Sequence, residues 1–306
     1  MLSLLFLACV SGPPATGDGV SDEGGGDPSD SEIAGCEAID ADADGADACD
    51  DCDDDDALAY PGAVERCNGR DDDCDDALGA EEQVDADADG VGDCIACDEA
   101  GFGAIPGDLG GAALVDALHE ATSGQDCADY SAETDWMFVE LDKTSDGTVE
   151  CVYTGRRTAV GSDKPDATDM NTEHTWPQSL GADVEPAKCD LHHLFPSDAD
   201  ANNARGNLSF AEVSSVDRWW DETGESALGE GTWEPREVHK GNVARAMLYF
   251  AMRYGYATDP GQLALYRSWH AADPVDAAER TRTLRIRDRQ GEANPYVVCP
   301  DLVDRL

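Results

Sequence analysis

Basic residues are scarce in this chain. Its 306 residues include 20 Lys and Arg against 67 Asp and Glu, a formal charge of −47 with histidines neutral. That balance excludes a surface that attracts polyanions through net charge alone. Aromatic and β-branched residues are almost missing from the first third. Residues 1–102 hold 31 acids, with Arg66 and Arg70 as the only bases, and cannot bury enough apolar surface for an ordinary core. All six Trp lie after residue 130, so the globular domain is expected at 103–306, long enough for a sizeable core. Long apolar runs are missing too. No stretch approaches the ~20 residues that a membrane-spanning helix needs.

Cysteine is plentiful: twelve in an acidic, Lys-poor chain. This predicts an oxidising compartment and disulfides. Four of them, Cys127, Cys151, Cys189 and Cys299, fall in the expected globular part; they could form two bridges, or pair with cysteines of the acidic region. The start, MLSLLFLACV, is a short apolar run with no basic lead. Residues 1–9 resemble the end of a bacterial lipoprotein signal. That resemblance implies lipidation of Cys9, a membrane tether and an extracellular or cell-surface location; a truncated start is the plain alternative. Residues 10–35 read as a flexible, solvated linker.

Residues 36–102 carry an internal repeat. Asp40, Asp42, Asp44 and Gly45, followed by Cys49 and Cys52, recur as Asp85, Asp87, Asp89 and Gly90 with Cys94 and Cys97. Alternate carboxylates before a turn-forming Gly are the first half of a calcium loop. The Glu that would complete an EF-hand is missing, so structural Ca²⁺ is expected on shorter aspartate loops, like those of thrombospondin type-3 repeats. Between the repeats, CDDDDALAYPGAVERCNGRDDDCDD resembles a metal-binding module of secreted myxobacterial proteins. The module implies Asp-rich calcium sites bracketed by disulfides. Zinc on the two CxxC pairs is the rival reading, disfavoured because hard oxygen donors dominate.

In the globular part, 112–120 and 130–141 have helical apolar spacing, and 148–154 alternates as a strand. The chemistry gathers between Met170 and Asn207. Pro177 keeps Asn171–Trp176 extended, so adjacent Glu173 and His174 point to opposite sides of the backbone. Ser197 could cap a helix ending at Gly206, with Asn202 and Arg205 on one face. A carboxylate, an imidazole, an amide and a guanidinium are the parts that phosphodiester hydrolysis needs. His192 and His193, between apolar neighbours, read as core or ligand-orienting residues. His119 reads as a surface residue and His239 and His270 as structural ones; Asp190 and Asn207 could buttress the loop.

These strings, MNTEHTWPQS and DLHHLFPSDADANNARGN, are similar to the bacterial endonuclease I family of secreted, non-specific nucleases. WEPR with KGNVARA, WH with DPV, and QGEANPY continue the resemblance in order. It implies an α+β fold: a mixed helical nuclease domain with a ββα-metal motif, after an irregular Asp/Cys-rich region. It implies His174 as general base and Glu173 and Asn202 as ligands of one Mg²⁺. The implied substrate is DNA, with RNA as a second candidate, cut with little sequence preference; no protein partner is expected. Glu292 and Ala293 depart from the family pattern, which puts a phosphate contact there in doubt. The five arginines from Arg280 to Arg289, with Arg156, Arg157 and Arg205, are candidates for phosphate contact; a salt-bridged helix face is the bland reading. A calcium-binding surface or adhesion protein with a spent nuclease-like domain is the rival function.

Overall fold

The computed structural model describes residues 109–220 and 226–306 apart from 125 and 128. Before these it describes 40–42, 45–47, 49–53, 57, 59–63, 70–75, 77–79, 97 and 100–107. Cys9, the 10–35 linker, Asp44, Asp85, Asp87 and Asp89 lie outside the described residues. Among the described residues, no helix is long and apolar enough to cross a membrane.

The globular part is α+β. Helix α1 (Gly111–Ala121) buries Leu114 and Leu118, one turn apart. Helix α2 (Tyr130–Trp136) starts where the Asp129 carboxylate accepts from the amides of Ser131 and Ala132, and it runs on as a π-turn through Leu141. The strand read at 148–154 is shorter: β1 (Thr148–Glu150) pairs antiparallel with β2 (Arg157–Ala159). Beyond Glu150 the chain turns, with Cys151 N donating to Arg156 O and Gly155 N to Cys151 O, and Gly155 taking φ +70. Strands β3 (Met170–His174) and β4 (Leu194–Asp198) form a second antiparallel pair, and helix α3 (Ala199–Arg205) follows. A small sheet then orders β5 (Arg218–Trp219), β6 (Ala227–Gly229) and β7 (Thr232–Glu234).

Helix α4 (Lys240–Tyr254) is the central support and is buried along most of its length. It ends where Gly255 adopts the left-handed conformation. Helices α5 (Pro260–Ala272), α6 (Ala277–Gln290) and α7 (Pro295–Val298) complete the fold. One apolar cluster joins α1, the π-turn, β3, β4, β7, α4 and α5 through Leu114, Leu118, Phe138, Met170, Leu194, Trp233, Tyr249 and Trp269. Enclosing a side chain such as Leu114 or Phe138 contributes about 1.5–3 kcal/mol. Phe102, before the expected boundary at 103, is buried in the same cluster.

The four globular cysteines do not form two bridges among themselves. Cys127 pairs with Cys189, Cys299 reaches back to Cys97 across 202 residues, and Cys151 is a buried free thiol. Cys151 instead uses its sulfur to accept from Asp198 N at 3.0 Å and Thr154 N at 3.3 Å. In the acidic region Cys52 is bonded to Cys74, so these two sulfurs are not zinc thiolates.

Candidate active site

Two strands and a helix position the four residues singled out in the sequence. Within β3 and β4, Glu173 stands opposite Phe195 and His174 opposite Leu194. Helix α3 is capped by Asp198, whose carboxylate accepts from Asp200 N and Ala201 N at 3.0 and 3.2 Å. Ser197, the cap expected from sequence, stands one residue before the actual cap, and both lie at the end of β4. An aspartate one residue later satisfies the free amides equally well. Helix α3 ends at Gly206, with φ +53.

The face of α3 that carries Asn202 and Arg205 lies along β3. Asn202 Nδ2 donates to Asn171 Oδ1 at 2.8 Å and to Thr172 O at 3.0 Å. Both amide protons are thereby used, and Asn202 Oδ1 can only accept or donate a lone pair. Arg205 donates to His174 O at 2.9 Å and to Thr175 O at 2.6 Å. Its Nη1 also lies 2.8 Å from Glu173 Oε1, with both side chains only 1% exposed. Tyr153 OH donates to the same Oε1 at 2.8 Å. Burial pushes the Glu173 carboxyl upward, while Arg205 and Tyr153 pull it down. Arg205 is therefore a buried strut and not an exposed phosphate ligand.

His174 is also mostly buried. Its Nε2 lies 3.1 Å from Lys188 O. A carbonyl only accepts, so the proton belongs on Nε2 and the lone pair on Nδ1. The Gln178 amide nitrogen lies along the edge of the ring, 3.1 Å from Nε2 and 3.3 Å from Nδ1. Burial, followed by the charges of His193, Lys188 and Arg205, pushes the His174 pKa down to about 3. The ring is thus neutral at pH 7. Glu173, His174 and Asn202 all line one open cleft of about 420 Å³, together with Thr172, Gln178 and Asn207.

His192 and His193 take the core roles expected of them. His192 Nε2 bonds Glu292 O at 2.9 Å and His193 Nε2 bonds Ala187 O at 2.7 Å. The His193 ring meets His174 edge-on at 5.5 Å. Asp190 does buttress this loop: it accepts from His192 N, Tyr249 OH and Tyr254 OH. Asn207 holds Ser179 Oγ at 3.3 Å. His119, exposed on α1, bonds Met252 O. His239 packs edge-on to Phe195, and His270 contacts Arg245 Nη1. Tyr153, Gln178, Asn171 and the Lys188 carbonyl were not singled out in the sequence. Tyr153, Asn171 and the Lys188 carbonyl act across 20, 31 and 14 residues, separations that local pattern does not mark, whereas Gln178 stands four residues from His174.

The arginine run is engaged mainly by the protein itself. Arg280 is buried, and Arg282 forks onto Asp142 at 2.7 and 3.0 Å while also donating to Leu191 O and Leu194 O. Arg285 donates to Leu141 O, Arg287 to Asp288 and Arg289 to Glu133. Arg156 is engaged by Asp169 and Asp198, and Arg157 by Glu150 and Asp146. The salt-bridged reading fits, because a chain this acidic supplies a carboxylate or carbonyl to Arg156, Arg157, Arg282, Arg285, Arg287 and Arg289.

In the acidic region, Gly45 takes φ +108 and its amide faces Asp40 Oδ2 at 3.3 Å. That fits a turning aspartate loop. A carboxylate cluster lies elsewhere: Asp71, Asp73 and Asp75 bring oxygens within 4.8 Å of one another, beside the Cys52–Cys74 bridge. Hard oxygen donors of this kind suit Ca²⁺ or Mg²⁺.

Residues 115–301 match the family model described as Endonuclease I, and residues 51–78 match the model described as "Putative metal-binding motif". The chain is 32% identical over 218 residues to an extracellular ribonuclease of Bacillus amyloliquefaciens, covering 64% of this chain and 74% of that protein. It is 30% identical over the same length to the extracellular ribonuclease of Bacillus subtilis. It is also 30% identical over 113 residues to an extracellular deoxyribonuclease of Aeromonas hydrophila, covering 35% of this chain and 48% of that protein.

Proposed function

The chain belongs to the endonuclease I family and is a nuclease, and from that premise we propose that residues 103–306 form its catalytic domain, hydrolysing internal phosphodiester bonds of DNA and RNA with a divalent ion, Mg²⁺ being the best match. The observation that carries the reading is the placement of His174: its Nε2 lies 3.1 Å from Lys188 O and the residue lines the same cleft as Glu173 and Asn202, while burial holds its pKa low and the ring neutral at pH 7. That is the form a general base needs to take a proton from water.

The ion would be held by Glu173 and Asn202. Tyr153 and Arg205 both bind Oε1 of Glu173, which leaves Oε2 as the donor. Asn202 offers Oδ1 because its amide protons are spent on Asn171 and Thr172. Two hard oxygens in an open cleft suit an ion that retains several waters. When bound, such an ion stabilises charge on the phosphate and on the leaving oxygen. The protein's own part is to orient the base, to fix the carboxylate with Arg205 and Tyr153, and to keep α3 against β3.

Little sequence preference follows from chemistry confined to the sugar–phosphate backbone. Relatives named as ribonucleases and as a deoxyribonuclease support both polymers as substrates. The export signal, the tether through Cys9 and Ca²⁺ on the aspartates of residues 36–102 belong to this same reading, as does action on its own without a protein partner. The test is plasmid nicking and RNA cleavage by the purified chain with Mg²⁺ and with EDTA. Cleavage in Mg²⁺ alone is expected. A chain inert on both polymers with Mg²⁺ supports the rival reading, a metal-binding surface protein with a spent nuclease domain.

A further inference from the structure

The geometry points to Lys188 as the cation that meets the substrate's phosphate at the cleft, an assignment that rests on the nuclease reading above. The starting observation is one of elimination. Arg205, Arg156 and Arg157, the arginines expected near the site, are held by Glu173, by Asp169 and Asp198, and by Glu150 and Asp146. Lys164 is held by Asp135. Lys188 has no carboxylate within ion-pair distance among the described residues; its ammonium instead rests over the Tyr130 ring, 5.1 Å from the centroid. The Tyr130 ring in turn tilts against His174 at 5.4 Å. The free charge therefore stands one aromatic ring away from the base.

Its placement is fixed by the backbone. Lys188 occupies a 3-10 turn, Ala187–Cys189. That turn is held by the Cys127–Cys189 bridge, by Ala187 O on His193 Nε2 and by Lys188 O on His174 Nε2. One residue thus meets the imidazole through its carbonyl and carries on its side chain a cation that rests over the Tyr130 ring. The flexible four-carbon stem lets the ammonium leave the weak ring contact for an anion at the cleft. Because the charge is not satisfied internally, no ion pair has to be broken when phosphate arrives. This answers how a strongly acidic protein engages a polyanion: through a cation left uncommitted beside the base.

The experiment compares Lys188→Met, Lys188→Arg and His174→Ala with wild type, measuring kcat/KM on plasmid DNA across a series of NaCl concentrations. Met keeps the apolar stem on Tyr130 and the backbone carbonyl on His174, and a thermal melt checks the fold of each variant. Loss of one charge-assisted phosphate contact predicts a fall of about tenfold or more in kcat/KM for Lys188→Met. The slope of log kcat/KM against log salt should shrink by about one. Lys188→Arg should restore most of both. An unchanged slope and rate in a folded Lys188→Met protein, with His174→Ala inactive, overturns the assignment while the nuclease reading stands. Should His174→Ala cleave like wild type, the nuclease mechanism itself fails.

Discussion

Arg205 Nη1 and Glu173 Oε1 meet at 2.8 Å inside the protein, with each side chain 1% exposed. The same guanidinium donates to the carbonyls of His174 and Thr175. One side chain of α3 therefore fixes the carboxylate and the end of β3 that carries the imidazole. Removing one partner of a buried pair strands the other charge, which costs about 3–5 kcal/mol. Arg205→Ala is expected to lower thermal stability by that order and to abolish activity, as read by a melting curve and a nicking assay. Arg205→Lys should rescue little of either, since an ammonium cannot reproduce the fork.

Asp190 accepts from two buried or half-buried phenols, Tyr249 and Tyr254, and from His192 N. Those hydroxyls carry raised pKa values, through burial first and the Asp190 charge second, and stay protonated donors. Asp190→Ala leaves several donors without a partner at about 1–3 kcal/mol each. Denaturant unfolding should show a loss of that order. Asp190→Asn, which can still accept, should lose less.

The Cys127–Cys189 bridge closes a separation of 62 residues and anchors the turn whose carbonyls hold His174 and His193. Chain entropy alone assigns such a loop about 4 kcal/mol. Replacing both cysteines by Ser should lower the melting temperature and slow cleavage. Replacing Cys52 and Cys74, which bridge residues remote in sequence from the cleft, should leave the cleavage rate near wild type. Equal effects of the two pairs on rate would break the link between the turn and the base.

Acid should unfold this protein from its histidines. Burial holds His239 down to about 3 and His193 and His270 down to about 4. An unfolded histidine takes up its proton near pH 6.5. Between about pH 6.5 and 4 the unfolded chain therefore binds more protons than the folded one, and stability falls as pH falls. A melting temperature that declines below about pH 6, with a shallower decline in His239→Leu, is the expected result. A flat profile down to pH 4 would contradict it.

Much of the fold was legible because its signals are local. Leu114 and Leu118 announce α1 by spacing, the apolar spacing of 130–141 announces α2 and its π-turn, and Pro177 keeps the Glu173–His174 segment extended. The candidate cluster was legible as residue types within one short stretch. Its supports were not. Tyr153 reaches Glu173 from 20 residues away, and Cys97 finds Cys299 across 202. Ser197 and Asp198 are both competent cap residues in sequence, and the helix starts one residue later than the serine would place it, on the Asp198 carboxylate. Arg282, Arg285 and Arg289 of α6 look available in sequence, yet Asp142, Glu133 and main-chain carbonyls from distant segments occupy them. Lys188 carries no motif; its availability is a property of what surrounds it.

The role of His174 is the centre of this account, and one comparison tests it most directly. Wild type and His174→Ala are assayed for initial rate of plasmid nicking at saturating Mg²⁺, with Mg²⁺ binding to each measured by calorimetry. Loss of a general base predicts a rate lower by about 10²–10⁴-fold with Mg²⁺ affinity little changed, since Glu173 and Asn202 remain. Nicking by His174→Ala at the wild-type rate would contradict the mechanism.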